Sequence, residues 1–97
     1  MSKYVALLSF TGEGISDIKK SAERVAAAKD AVESVGGTWI GYYVTLGQYD
    51  GVAIMELPDD SVAAQVVVAI GGAGNVRTET MRAFTIEEFS DIVKSVS

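Results

Sequence analysis

Apolar positions along this chain change period several times, and each change marks an element. Lys3 to Phe10 is a short run of β-forming residues bounded by Thr11-Gly12-Glu13-Gly14, which predicts a first strand. Ile15 to Lys20 predicts a helical turn. Ser21 then stands where a helix cap belongs, with Glu23 in the first turn favoured by the helix dipole. Val25, Ala28, Val32 and Val35 recur at spacings of three and four, which forms one apolar stripe. Arg24, Lys29, Asp30 and Glu33 take the other side, and Gly36-Gly37 ends the helix.

Thr38 to Leu46 is dense in Trp, Ile, Tyr and Val and predicts the second strand. Gly47-Gln48-Tyr49-Asp50-Gly51 is a glycine-bounded turn, and Val52 to Leu57 is the third strand. Strands joined by about five residues pair as an antiparallel hairpin. Pro58 ends that strand, and Asp59 or Asp60 caps a helix over Ser61 to Ile70. Its valine run has poor helix propensity, so packing must hold it. Gly71-Gly72-Ala73-Gly74 closes that helix. Asn75 to Phe84 alternates as a fourth strand. Thr85 caps a last helix, with Glu88 three residues on completing a capping box.

The order β-α-β-β-α-β plus a terminal helix defines an α+β, ferredoxin-like plait. It has a four-stranded antiparallel sheet with both main helices on one face. Strand alternation assigns residues to the two faces. Ile40, Val44 and Leu46 are expected toward the helices, as are Met81 and Ala83. Trp39, Gly41, Tyr43, Thr45, Thr78, Thr80, Arg82 and Phe84 are then expected on the helix-free face. That mixture suits a subunit interface or the lining of a small-ligand pocket.

Composition supports a covered sheet face. A chain of 97 residues buries roughly 60–65% of its unfolded surface. Yet 48% of its residues are hydrophobic, and mean hydropathy is positive. A second subunit over the open face would hide the excess. The net charge of −5 argues against nucleic acid and anionic membranes as partners. No apolar run approaches the ~18–20 residues that span a bilayer. The opening residues lack the long apolar segment of a signal peptide, so a cytoplasmic location is expected. The chain has no cysteine and no histidine. Thiol chemistry is thereby removed, together with the commonest general base, metal ligand and haem axial ligand. No cofactor and no metal are expected, and no catalytic residue stands out.

The remaining motifs read mainly as structure. Gly12-Glu13-Gly14 lies where phosphate loops lie, but a dinucleotide fingerprint needs glycine where Asp17 stands, and Glu13 would repel a phosphate. Gly71-Gly72-Ala73-Gly74 follows a helix, the wrong context for phosphate binding. Asp59-Asp60 and Glu87-Glu88 read as first-turn charges. Tyr49-Asp50 offers an acceptor at the rim of a pocket or subunit contact. Arg77 to Arg82 reads as a charged edge strand, with Arg82 suited to anchor a carboxylate.

The run Trp39-Ile40-Gly41-Tyr42-Tyr43-Val44-Thr45-Leu46-Gly47-Gln48-Tyr49-Asp50 resembles the GYD domain family. So do Pro58-Asp59-Asp60, Gly74-Asn75-Val76-Arg77-Thr78-Glu79-Thr80 and Arg82-Ala83-Phe84-Thr85, with Gly14, Arg24 and Gly36-Gly37. Gly47, Tyr49 and Asp50 resemble the stretch that names the family. Ala22 departs from it, where a proline is expected after Ser21. The resemblance spans nearly the whole chain, read as one domain over residues 1–97. It implies a dimeric α/β barrel of bacterial or archaeal type, but no settled activity, because fold does not choose among functions.

Three functions stay open. The first is a homo-oligomeric, non-enzymatic module of unknown biochemical role, with a small molecule held between paired sheets. The second is a cofactor-independent, monooxygenase- or isomerase-like enzyme acting on a small aromatic or carbonyl compound, with Tyr43, Thr78 and Arg82 positioning it and Asp50 as base. The third is a purely structural assembly protein. The candidate ligand or interface residues are Trp39, Tyr43, Tyr49, Asp50, Thr78, Thr80 and Arg82.

Overall fold

β1 (Ser2–Phe10) and β3 (Gly51–Leu57) form the centre of a four-stranded sheet, flanked by β4 (Val76–Ala83) beside β1 and β2 (Thr38–Val44) beside β3. All three strand pairings are antiparallel. This computed structural model describes residues 1–96. Between the strands lie α1 (Gly12–Ser16), a 3-10 turn (Ile18–Lys20), α2 (Ser21–Ser34) and α3 (Asp60–Gly72), and α4 (Ile86–Lys94) ends the described chain. The expected α+β, ferredoxin-like topology is present, with α2 lying against β2 and α3 against β3 and β4.

Alternation in the central strands locates the core. Tyr4, Ala6 and Leu8 of β1 and Ala53, Met55 and Leu57 of β3 are buried together with Val32 of α2 and Ala63 and Val66 of α3. These side chains identify the helix-covered face. Register then carries that face outward, because directly paired residues share a side of the sheet. Tyr4 pairs with Arg82, Ala6 with Thr80 and Leu8 with Thr78. Thr78, Thr80 and Arg82 therefore turn toward the helices, and Met81 turns away, paired with Val5. The expected phase of β4 was the reverse. Its apolar residues Met81 and Ala83 suggested the core, but they belong to an open face that is itself apolar.

β2 contains a second departure. Trp39 pairs with Met55, yet Gly41 pairs with Ile54, so a bulge at Ile40 shifts the alternation by one residue. Trp39 thus joins Tyr42 on the helix side, while Gly41 and Tyr43 face the open side. β2 ends at Val44, not Leu46, because the Thr45 N–H donates to the Asp50 carbonyl at 3.0 Å and closes the hairpin. Val44 and Leu46 lie exposed, not in the core.

Helix ends mostly follow local chemistry. The Asp59 carboxylate accepts the Val62 N–H at 2.9 Å, and Thr85 with Glu88 forms the expected capping box on α4. Gly36 adopts φ +82 and closes α2, with the Gly37 N–H reaching back to the Val32 carbonyl. Ser21 does not cap α2. The 3-10 turn runs straight into that helix, and the Ser21 hydroxyl donates to the Ile18 carbonyl instead. The Gly12-Glu13-Gly14 segment opens the short helix α1, which the Thr11 hydroxyl caps by accepting the Gly14 N–H at 3.1 Å.

Candidate functional site

The two faces of the sheet offer two different surfaces. On the helix side, α2 and α3 touch each other only sparsely. The reason lies in side-chain size. Ala6 and Ala53 face each other across the central strand pair, and Ala27, Ala28, Ala31, Ala69 and Ala73 line the helix walls above them. Small residues at these positions leave a partly enclosed cavity of about 480 Å³. Trp39 and Tyr42 form its aromatic wall, and Thr78 and Thr80 reach it from β4. The exposed Asp17, Lys20 and Glu23 mark its solvent end. Arg24 stands beside them and braces the rim, donating to the Gly14 carbonyl at 3.0 Å and the Asp17 carbonyl at 2.8 Å. Burial pushes the Tyr42 phenol above its ordinary pKa, and the nearby Asp50 charge pushes in the same direction. The Thr80 hydroxyl is buried without a hydrogen-bond partner among the described residues.

A shallower hollow of about 290 Å³ adjoins this cavity, with Val67 and Thr80 lining both. Tyr4, Asp60 and Arg82 border the shallower one. The Tyr4 hydroxyl donates to Asp60 Oδ1 at 2.5 Å. Burial raises the Tyr4 pKa, and the Asp60 hydrogen bond and charge add to that shift. The Arg82 guanidinium stacks 4.4 Å from the Phe84 ring centre and 5.8 Å from that of Tyr4.

The hairpin loop acts as a clasp. The Asp50 carboxylate accepts the Phe10 N–H at 2.8 Å, and the Asp50 N–H donates to the Leu8 carbonyl at 2.8 Å. The Tyr49 hydroxyl donates to the Glu79 carboxylate of β4, and that bond raises the Tyr49 pKa. The loop thus ties β2 and β3 to both strands on the other side of the sheet.

On the open face, Val5, Leu7, Val52, Ile54 and Met81 form a contiguous apolar centre through the pairs Val5–Ile54, Leu7–Val52 and Val5–Met81. Lys3, Glu56, Arg77 and Glu79 surround it, and Tyr43 lies at its β2 side. α4 makes only sparse contact with the rest of the chain, and its Phe89, Ile92 and Val93 are exposed.

The seven residues singled out by sequence therefore do not share one site. Trp39, Thr78 and Thr80 converge on the helix-side cavity, Arg82 borders the neighbouring hollow, Tyr49 and Asp50 build the clasp, with the Tyr49 hydroxyl reaching Glu79 at the edge of the open face, and Tyr43 stands on the open face. The enzymatic constellation of Tyr43, Thr78, Arg82 and Asp50 is not assembled, because a sheet separates Tyr43 from Thr78 and Arg82, and the Asp50 carboxylate accepts the Phe10 N–H in the clasp. Sequence reasoning missed the alanines of α2 and α3 and the bracing Arg24. The alanine density of Ala26-Ala27-Ala28 and Ala31 was the available signal. Among the described residues no group of three or more acidic side chains is placed to hold a metal ion. No described helix is long and apolar enough to cross a membrane.

Fold and sheet order define a small ferredoxin-like α+β protein. A model of the GYD domain matches residues 4–93, and the chain belongs to the GYD domain family. It is similar to the crystal structure of TTHA0845 from Thermus thermophilus, with 29% identity and a TM-score of 0.57, over 88% of this chain and 95% of that one. The FFRP-DM1 crystal structure shares the fold, with a TM-score of 0.62 and 17% identity, over 87% of this chain and all of that one (100%). No curated protein matches the chain.

Proposed function

We propose that this protein is a self-associating module whose open sheet face packs against the same face of a second copy. One observation carries the reading: Val5, Leu7, Val52, Ile54 and Met81 form an apolar centre on a sheet face that α2 and α3 leave uncovered. Burial of such a patch drives association, at about 25 cal/mol per Å² of apolar surface removed from water. The surrounding charges favour a copy of the same surface as partner. Lys3 and Arg77 are balanced by Glu56 and Glu79, so a two-fold arrangement can place each sign opposite the other. α4 supports the same reading, since its exposed Phe89, Ile92 and Val93 form an apolar side that a partner would cover.

Ile54→Glu tests the proposal, because it places a charge in the centre of the patch without touching the helix-side core. Size-exclusion chromatography should show the wild type as an oligomer and the variant as a folded monomer. An unchanged elution volume for the variant would remove the sheet face from the interface.

A further inference from the structure

We propose that the cavity beneath α2 and α3 binds a small, neutral, lipophilic molecule that carries one hydrogen-bonding oxygen. The space and the polar chemistry point there independently. At about 480 Å³ the cavity has the size of a small-molecule site, and alanine, valine and aromatic side chains make up most of its wall.

The Thr80 hydroxyl supplies the second observation. It is shielded from solvent and has no hydrogen-bond partner among the described residues. Such a group is destabilising unless something answers it, and buried hydroxyls in folded proteins are nearly always paired. Thr80 extends from the same side of β4 as Thr78, and both line the cavity. A ligand oxygen placed there would satisfy Thr80 while its apolar body lay against Trp39 and Tyr42.

Charge at the solvent end selects a neutral ligand. Lys20 and Arg24 stand with Asp17 and Glu23, so neither sign dominates. Arg24 is moreover committed to two backbone carbonyls. The cavity lies on the opposite side of the sheet from the proposed self-association surface, so the two proposals stand or fall separately.

Equilibrium dialysis of the purified full chain against 2-naphthol and against naphthalene tests the site. The two probes share a body and differ by one hydroxyl. The wild type should take up one molecule of either probe per chain. Thr80→Val keeps the side-chain shape and removes the hydroxyl, so the ratio of 2-naphthol to naphthalene affinity should fall about two- to tenfold, the value of one net hydrogen bond. Ala28→Phe should reduce uptake of both more than tenfold. Failure of the wild type to take up either probe overturns the proposal. So does an unchanged ratio in Thr80→Val, which would mean that water answers the hydroxyl. The comparison of wild type with Thr80→Val decides the matter even where Ala28→Phe fails to fold.

Discussion

The carboxylate of Asp50 accepts the backbone N–H of Phe10 at 2.8 Å, joining the hairpin loop to the last residue of the central strand β1. The bond is charge-assisted, and it satisfies a donor where the β1–β3 ladder has ended at Leu8–Gly51. Asp50 thus has a structural task in this chain.

Replacement of that carboxylate should cost stability. Asp50→Ala leaves the Phe10 N–H without its partner, and a lost hydrogen bond to a charged group costs about 1.5–3 kcal/mol. Urea unfolding should show a lower midpoint with an unchanged slope. A midpoint equal to that of the wild type would show that the clasp is dispensable.

Gly14 should be intolerant where Gly12 is tolerant. A Cβ at Gly14 would stand 2.1 Å from the Asn75 carbonyl oxygen, which also accepts the Thr11 N–H at 3.1 Å. A Cβ at Gly12 meets nothing within 4 Å. Gly14→Ala should therefore destabilise by about 1–3 kcal/mol, as overpacking does, while Gly12→Ala should be neutral or mildly stabilising. Thermal unfolding of the two variants side by side checks the contrast, and equal midpoints would contradict the close approach of α1 to Asn75.

Alkaline pH should weaken the fold through Tyr4. Burial first, and then Asp60, raise its folded pKa, so the folded state holds the phenolic proton more tightly than the unfolded chain does. That contribution is complete below the ordinary tyrosine pKa of about 10 and is lost as pH rises through the raised value. Tyr42 and Tyr49 shift in the same direction and add to the slope. Urea unfolding from pH 8 to pH 11 should show stability falling with pH, and Tyr4→Phe should flatten part of that fall. An equally steep fall in the variant would acquit Tyr4.

The exposed side of α4 should matter to association more than to folding. Phe89 and Ile92 are half exposed in the single chain, and α4 contributes little to its core. Phe89→Ser with Ile92→Ser should move the unfolding midpoint little. If a partner covers that side, each buried apolar side chain contributes about 1.5–3 kcal/mol, and dimer affinity should fall more than tenfold. Sedimentation equilibrium measures the dissociation constant, and an unchanged value would leave α4 outside the interface.

Much of the fold could be read from local chemistry. Pro58-Asp59-Asp60, Thr85 with Glu88, and Gly36-Gly37 each carry a start or stop signal, and the structure starts or ends its helices there. The faces of the outer strands could not be read in the same way. Met81 is apolar on a face that is itself apolar, so hydrophobicity alone pointed β4 the wrong way. The bulge at Ile40 leaves no mark in the alternation of β2, yet it sends Trp39 to the opposite side from Tyr43. The cavity was hidden for another reason. It arises from alanines on different elements that meet only when α2, α3 and the β1–β3 pair are packed together.

Native mass spectrometry of the purified chain over a range of concentrations tests self-association most directly. The account predicts a dominant species at an even multiple of the 10.2 kDa chain, built from face-to-face pairs and separating into monomers when Ile54 becomes Glu. A wild type that remains at the single-chain mass at the highest concentration would contradict it.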